Sequence, residues 1–426
     1  MRCDIAVIGA GPAGLAAARA AAGRSVVVVD LAARPGGQFY RHPVDGQPTR
    51  GRRTFARLRS GARVLSGHRV YAIEPGTPHV LHLAGETRVL RADAVLIATG
   101  AYDRQAPFPG WDLPGVMTAG GAQALLKGSR VLPGRRIVVA GSGPFLLPVA
   151  AGLATAGAKV MGVFDAGSAA GFLRYPGVLA RHPAKIVEAA GYLATLAEHR
   201  VPLHTRHSVV AAHGKDELVA VTVGRRRIEC DTLAVGYGFT PQVDLGLAIG
   251  CATTVRDGNL VLAVDARQRT SVPGVFAAGE VTGVGGAALA MVTGALAGRA
   301  MAGLPPTSRL LRARARHAEF AATLAKVWPP SDGWLAGLTD DTVVCRCEEV
   351  RYGTVRAAVT EWGARDARAV KLLTRTGMGW CQGRICGDAV THIVSRLTGT
   401  EPEPAGMALR ILAQPVTLGE LSEEET

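Results

Sequence analysis

A loop of three glycines limits what this chain can fold into more than any other feature. Gly9, Gly11 and Gly14 are spaced G-x-G-x-x-G, with Ala10, Pro12 and Ala13 between them. The run before them, Ile5–Ile8, is short and wholly apolar, as strands covered on both faces of a parallel sheet are. Leu15–Ala22 follows as an Ala-rich predicted helix, and Val26–Val29 as a second strand ending in Asp30. Strand, glycine loop, helix, strand and acid in this order describe a dinucleotide-binding unit. Its glycines permit a tight turn and close approach of backbone to a pyrophosphate. Amides at the helix N-terminus face the phosphates, and the acid accepts hydrogen bonds from a ribose.

The plan recurs. Ile137–Ala140 is a strand, Gly141-Ser142-Gly143-Pro144 a loop, and Lys159–Phe164 a strand ending in Asp165. Such an internal repeat of a whole unit predicts an α/β protein with two Rossmann-like domains. The copy departs at Leu146, where the third glycine is expected, which puts the usual pyrophosphate approach in question. Asp165 suits a free ribose 2'-hydroxyl and no arginine follows it directly, so NAD or another adenine nucleotide such as ATP is favoured over NADP. A domain kept only for its fold is the competing reading.

Ala94–Ile97 is another buried strand, ending in Ala98-Thr99-Gly100, and Val275–Ala277 leads into Ala278-Gly279-Glu280. The order predicts one discontinuous domain from 1–105 and 250–302, with 106–249 inserted. An Arg- and Ala-rich helix (Arg309–Lys326) lies in a 303–341 linker. A small module, 342–426, reads as short helices at Thr354–Trp362, Asp366–Thr374 and Asp388–Leu397 with a glycine turn at Gly377–Gly379.

That module carries Cys345 and Cys347 as C-x-C, then Cys381 and Cys386 as C-x4-C. Four such thiolates suit zinc or a [2Fe–2S] cluster, although structural zinc sites usually offer C-x2-4-C pairs. Of the seven cysteines, Cys3, Cys230 and Cys251 remain as isolated thiols, which fits a reducing cytoplasm.

Net charge is +14, but aromatics are only 5%, which argues against a base-stacking nucleic-acid surface. The charge is mostly arginine scattered along the chain. The runs Arg52–Arg53 and Arg225–Arg227 read as solvated loops, and a basic face for an acidic partner stays open. Arg2 before an apolar run imitates a signal peptide, which Asp4 and the glycine spacing contradict. Ile137–Ala158 has the length of a membrane span, but its Gly141–Pro144 loop argues against one.

Further pieces carry a family resemblance. Arg34-Pro35-Gly36-Gly37-Gln38 after Asp30, Ala98-Thr99-Gly100, and Ala278-Gly279-Glu280 together resemble the FAD signature of the glutathione and thioredoxin reductase superfamily. The resemblance implies FAD held by Gly9, Gly11, Pro12, Ala13, Gly14, Asp30, Gly37, Gln38, Thr99, Gly100, Gly279 and Glu280. In that family an aspartate at the flavin ribityl and phosphate stands where this chain has Glu280. The second unit resembles the inserted NAD(P)H domain, implying Gly141, Gly143 and Asp165 as nucleotide contacts. Neither unit offers the redox cysteine pair that a dithiol reductase needs beside its flavin.

Cys345-Arg346-Cys347-Glu348-Glu349 and Thr374–Gly387 resemble the [2Fe–2S] domain of bacterioferritin-associated ferredoxin. The C-x4-C is similar to the version fused to amino-acid and opine dehydrogenase subunits. This implies Cys345, Cys347, Cys381 and Cys386 as cluster ligands, with Lys371, Arg375 and Arg384 offsetting its charge. With Gly283–Ala287 and Pro415–Glu420 added, the whole chain resembles the alpha subunit of heteromeric FAD-dependent dehydrogenases. Opine oxidase, D-hydroxyproline and L-proline dehydrogenases and hydrogen cyanide synthase belong there.

By that resemblance an FAD-containing beta subunit, like the beta subunit of sarcosine oxidase or a D-amino-acid oxidase, oxidises the amine. A small gamma subunit, FMN at the interface with the beta subunit, and an electron acceptor or membrane periphery as docking partner are further implications. His182 and His213 read as surface residues. Two other readings stand beside this one: a self-sufficient NADH-dependent reductase, and an assembly subunit that binds ATP or ADP structurally.

Overall fold

The computed structural model describes residues 1–46, 51–58, 61–410 and 412–422, without the side chains of Arg52 and Leu58. The first half of the Arg52–Arg53 run therefore lies outside the described side chains. The chain divides into two compact units. One contains Met1–Tyr102, Thr240–Ala322 and the tail from Ala408; the other contains Asp103–Phe239 and Thr323–Met407.

The first unit is built on a seven-stranded sheet in the order Arg63–Ser66, Val26–Asp30, Arg2–Ile8, Val89–Ile97, His79–Ala84, Arg69–Glu74, with Val275–Ala277 also paired to Val89–Ile97. Arg2–Ile8 lies parallel between Val26–Asp30 and Val89–Ile97, Ile8 standing beside both Val29 and Ile97. Its buried residues run without alternation because apolar layers cover both faces. The His79–Ala84 and Arg69–Glu74 strands complete the sheet as an antiparallel edge.

On one face the helix Pro12–Ala20 meets the helix Gly286–Met301. They touch through glycine: a Cβ on Gly294 would stand 2.0 Å from the Ala13 carbonyl oxygen, and one on Gly298 would stand 2.2 Å from that of Ala17. The tail from Ala408, expected to go with the cysteine module, belongs to this unit. The Ala413 amide donates to the Tyr71 carbonyl, Arg69 donates to the Pro415 carbonyl, and Arg410 pairs with Asp244.

The second unit has a five-stranded parallel sheet, in the order Leu203–Thr205, Lys159–Asp165, Arg136–Gly141, Thr232–Gly236, Val116–Thr118. A three-stranded antiparallel sheet of Val209–Gly214, Leu218–Val223 and Arg226–Glu229 accompanies it.

The cysteine module has its own core, made by Val344, Val355, Val370, Val390 and Ile393 among others. Its helices are Tyr352–Thr360, Ala367–Thr374 and Gly387–Thr398, each within a few residues of the expected bounds. Asp366 caps the second by accepting from the Ala369 amide at 2.7 Å. Trp111 anchors the module within this unit. Its indole donates to the Val343 carbonyl, and the Arg346 guanidinium lies 5.2 Å from its ring centroid. Arg104 adds an ion pair to Asp388 at 3.5 Å. Among the described residues, no helix is long and apolar enough to cross a membrane. Ile137–Ala158 is instead a strand, a loop and a helix.

Candidate functional site

In the first unit each loop glycine has its own reason. Gly9 has φ +105°, and a Cβ there would stand 2.3 Å from the Ala98 oxygen. A Cβ on Gly14 would stand 1.8 Å from the Gly9 oxygen, so only glycine lets the helix start against the loop. Gly11 differs, because the nearest atom to its Cβ position is the Gly37 Cα, at an ordinary 3.9 Å. The protein itself does not need a glycine there, and the space it leaves lies at the helix N-terminus. Pro12 opens the helix at its first turn, and the Leu15 amide donates to the Gly11 carbonyl in a regular helical bond of 3.0 Å.

The other expected residues assemble around this loop. Asp30 accepts from the Ala10 amide at 2.5 Å and from the Ala32 amide at 2.7 Å. Burial pushes its carboxyl up, opposed by those two amides and by Arg41. Gly37, at φ +56°, touches Gly11, and Gly279, at φ +81°, touches Ala13. Thr99 ties its hydroxyl to the Gln242 carbonyl at 2.8 Å, and the Gly100 carbonyl accepts from the Gln242 amide.

Two expected residues are engaged elsewhere. Gln38 is exposed and accepts from Arg41 at 3.0 Å. The Glu280 carboxylate accepts from the Gly285 and Gly286 amides at 3.2 and 2.8 Å, so it caps the helix Gly286–Met301. Burial pushes it up to about 7 despite those bonds.

The second loop is built differently. Gly141 must be glycine, since a Cβ would stand 1.8 Å from the Gly236 oxygen. Leu146, in the place of Gly14, is buried in the core. A side chain there cannot lie against the loop as Gly14 does. The helix accordingly begins only at Leu146, after short i→i−3 bonds from Leu146 to Gly143 and from Leu147 to Pro144. Asp165 is buried, and its Oδ1 accepts from the Gly143 and Gly167 amides at 3.2 and 2.9 Å. Its Oδ2 accepts from the Trp328 indole at 2.9 Å.

The four module cysteines come together. All four are free thiols, with Cys386 neighbouring Cys345 and Cys381, and Cys381 neighbouring Cys347. Bonds from Cys386 hold Cys345 down at about 6 and Cys381 at about 5, while Cys386 itself is pushed far up. Cys347 is raised, chiefly by burial. The Gly377 amide points to the Cys345 sulfur at 3.5 Å. All four line a pocket of about 170 Å³, together with Gln105, Trp111, Met117 and Thr118 among others.

Among the described residues, no three His, Cys, Asp or Glu side chains converge as ligands of one ion do. Four thiols as the donor set suit a two-iron group or a tetrahedral zinc. Of the expected basic residues, Arg375 pairs with Glu348 at 2.9 Å and Arg384 donates to the Cys381 carbonyl. Cys3, Cys230 and Cys251 are buried singly, the first two pushed up to about 11 and 12 by burial.

Residues 3–302 match the pyridine nucleotide-disulphide oxidoreductase family, and residues 343–396 match the BFD-like [2Fe-2S] binding domain. An opine oxidase subunit of Agrobacterium tumefaciens is 32% identical, over 98% of this chain and 91% of its own length. Hydrogen cyanide synthase subunit HcnB of Pseudomonas aeruginosa is 33% identical, over 92% and 93%. In fold, the structure of L-proline dehydrogenase from P. horikoshii matches with TM-score 0.73 at 20% identity, over 99% of this chain and 79% of that one. The chain belongs to the pyridine nucleotide-disulphide oxidoreductase family, and its relatives include subunits of opine oxidase. It is a flavin oxidoreductase with a C-terminal [2Fe–2S]-type domain.

The residues fit both groups that this family implies. For FAD, the space at Gly11 beside free helix amides, with Asp30 at its rim, is the cradle a pyrophosphate and ribose require. For the cluster, the donor set is four cysteines, two with thiols already held down. On the second unit the expected acid, Asp165, already has the Trp328 indole as a partner.

The glycines of the helix contact were legible as Gly294-x3-Gly298 and were missed. Trp328 and Trp111 act across 163 and 232 positions of sequence, and no local pattern marks them.

Proposed function

We propose that this chain is the electron-transfer subunit of a heteromeric amino-acid, imino-acid or opine dehydrogenase. A partner beta subunit with its own FAD oxidises the amine, and this chain receives the electrons. The observation that carries the reading is the union in one polypeptide of a glycine cradle suited to FAD and a four-thiol centre suited to [2Fe–2S]. Relatives with 32% and 33% identity over nearly the full length carry subunit names, which supports a partner.

Bound FAD supplies the change from two-electron to one-electron chemistry, and the cluster supplies single-electron transfer. Amides at the start of Pro12–Ala20 hold the pyrophosphate, and Asp30 orients the ribose. Gly37, Thr99, Gly100 and Gly279 shape the rest of the cradle. Cys345, Cys347, Cys381 and Cys386 hold the cluster. FMN at the beta-subunit interface and a small gamma subunit complete the assembly, which works in the cytoplasm.

The test is anaerobic stopped-flow on the isolated chain and on its complex with the subunit that co-purifies from the native host. Proline, hydroxyproline, opines, glycine and sarcosine leave the isolated chain oxidised, and one of these amines reduces the complex. Reduction of the isolated chain by an amine at a catalytic rate overturns the reading.

A further inference from the structure

The second nucleotide unit contains a ring of its own. Trp328 follows the helix Ser308–Val327 and packs onto the end of the Lys159–Asp165 strand. Its indole N–H donates to Asp165 Oδ2 at 2.9 Å. A Cβ on Gly167 would stand 2.3 Å from Trp328 Cδ1, so the ring lies directly on that backbone. Phe172 meets the ring edge-on, 5.8 Å between centroids. The neighbouring residues are seated too: Val327 lies against Gly171, and the Lys326 ammonium stands 6.0 Å from the Tyr175 ring centroid.

In a βαβ nucleotide unit, the acid ending the second strand takes the ribose hydroxyls, and the residues just after it flank the adenine. Those are the positions the indole occupies. Two backbone amides take Oδ1, and the indole takes Oδ2. Asp165 is 7% exposed, so a ribose reaches it only where the indole now stands. Phosphate binding offers little to offset that displacement. With Leu146 in place of a third glycine, the helix start is drawn back to Leu146.

We propose that Trp328 is an internal occupant of the second nucleotide unit, which excludes adenine nucleotides, NAD(H) included, as long as its indole holds Asp165. Glycine size at 143 and 167 and the acid at 165 remain from a working site, so removal of the indole opens that site again. The inference stands apart from the relay function, since it concerns only what this unit binds.

The experiment is calorimetric titration of the holoprotein, loaded with FAD and cluster, with ADP and with NAD. Flavin and iron content show that each variant is folded. Wild type binds neither probe below about 1 mM, a binding free energy of about 4 kcal/mol. Trp328→Ala binds ADP at least about tenfold more tightly, and adding Asp165→Ala removes that gain. Trp328→Phe, which keeps a ring but loses the donor, serves if the alanine variant does not fold; it gains less, about threefold.

Tight binding by wild type that Trp328→Ala leaves unchanged or weakens makes the indole part of a nucleotide site and overturns the proposal. Absence of binding in every folded variant overturns it equally, because the unit then has no site to exclude from.

Discussion

The two Rossmann units of this chain share a plan and part at the third glycine position, Gly14 against Leu146. In the first, the missing side chain lets the helix begin at Pro12, hard against the loop, with regular i→i−4 bonding from Leu15. In the second, a buried leucine draws the helix start back to Leu146 behind a tight i→i−3 turn. The acids diverge in the same sense. Asp30 is half-buried among backbone amides and Arg41, whereas Asp165 is buried under an indole. The two helices therefore present their first amides to the loop from different starts, Pro12 in one unit and Leu146 in the other.

The harshest way to break the comparison is to make the first loop resemble the second. Gly14→Ala places a Cβ 1.8 Å from the Gly9 oxygen. Relief of that contact costs about 3 kcal/mol, and FAD content after purification should fall below about a tenth of wild type. Full flavin content in this variant removes the distinction drawn between the loops. The converse change, Leu146→Ala, empties a core position of the second unit. It should lower stability by about 2–3 kcal/mol while FAD content stays at one per chain, as read by thermal unfolding and absorbance. Flavin loss alongside would mean the two loops are not independent.

A second acid in the flavin unit sharpens the contrast through pH. Glu280 is raised from 4.5 to about 7, chiefly by burial, so the fold favours its protonated form. The unfolded chain releases that proton first, so stability falls as pH climbs from about 4.5 through about 7. Glu280→Gln in the apoprotein should flatten this slope, a difference of about 1–2 kcal/mol at pH 8 once partial exposure is allowed for. Urea unfolding at pH 5 and pH 8 measures it, and an unchanged slope rejects Glu280 as the source.

The mildest change is Gly11→Ala. Its φ of −76° suits any residue, and nothing lies closer than 3.9 Å to the new methyl. The apoprotein should be unchanged or more stable by about 0.5 kcal/mol. FAD should bind about tenfold more weakly, about 1.4 kcal/mol, because the methyl fills the pyrophosphate space. Undiminished affinity moves the pyrophosphate away from Gly11.

Much of this was readable along the chain because it is local. Gly9–Gly14 with Asp30, and Gly141–Pro144 with Asp165, declare themselves through spacing, since a strand, a turn and a helix start must follow within a few residues. The departure at Leu146 also proved local, and the late helix start is its consequence. Cysteine spacing showed which four thiols belong together, although Cys345 and Cys386 stand 41 positions apart.

Glu280 shows where local reading stops. Resemblance placed it at the cofactor, and its carboxylate is bonded to two amides of the next helix. The tail from Ala408 shows the same limit: its place in the first unit depends on Tyr71, Arg69 and Asp244, each more than 160 positions away.

Sequence alone determined the two α/β units, the FAD-type loop and the cysteine quartet, because backbone sterics and thiol chemistry act through residue type and spacing. Only the tertiary structure decided that the second acid is covered, because a hydrogen bond between Trp328 and Asp165 depends on two distant segments meeting, and nothing in either segment names the other.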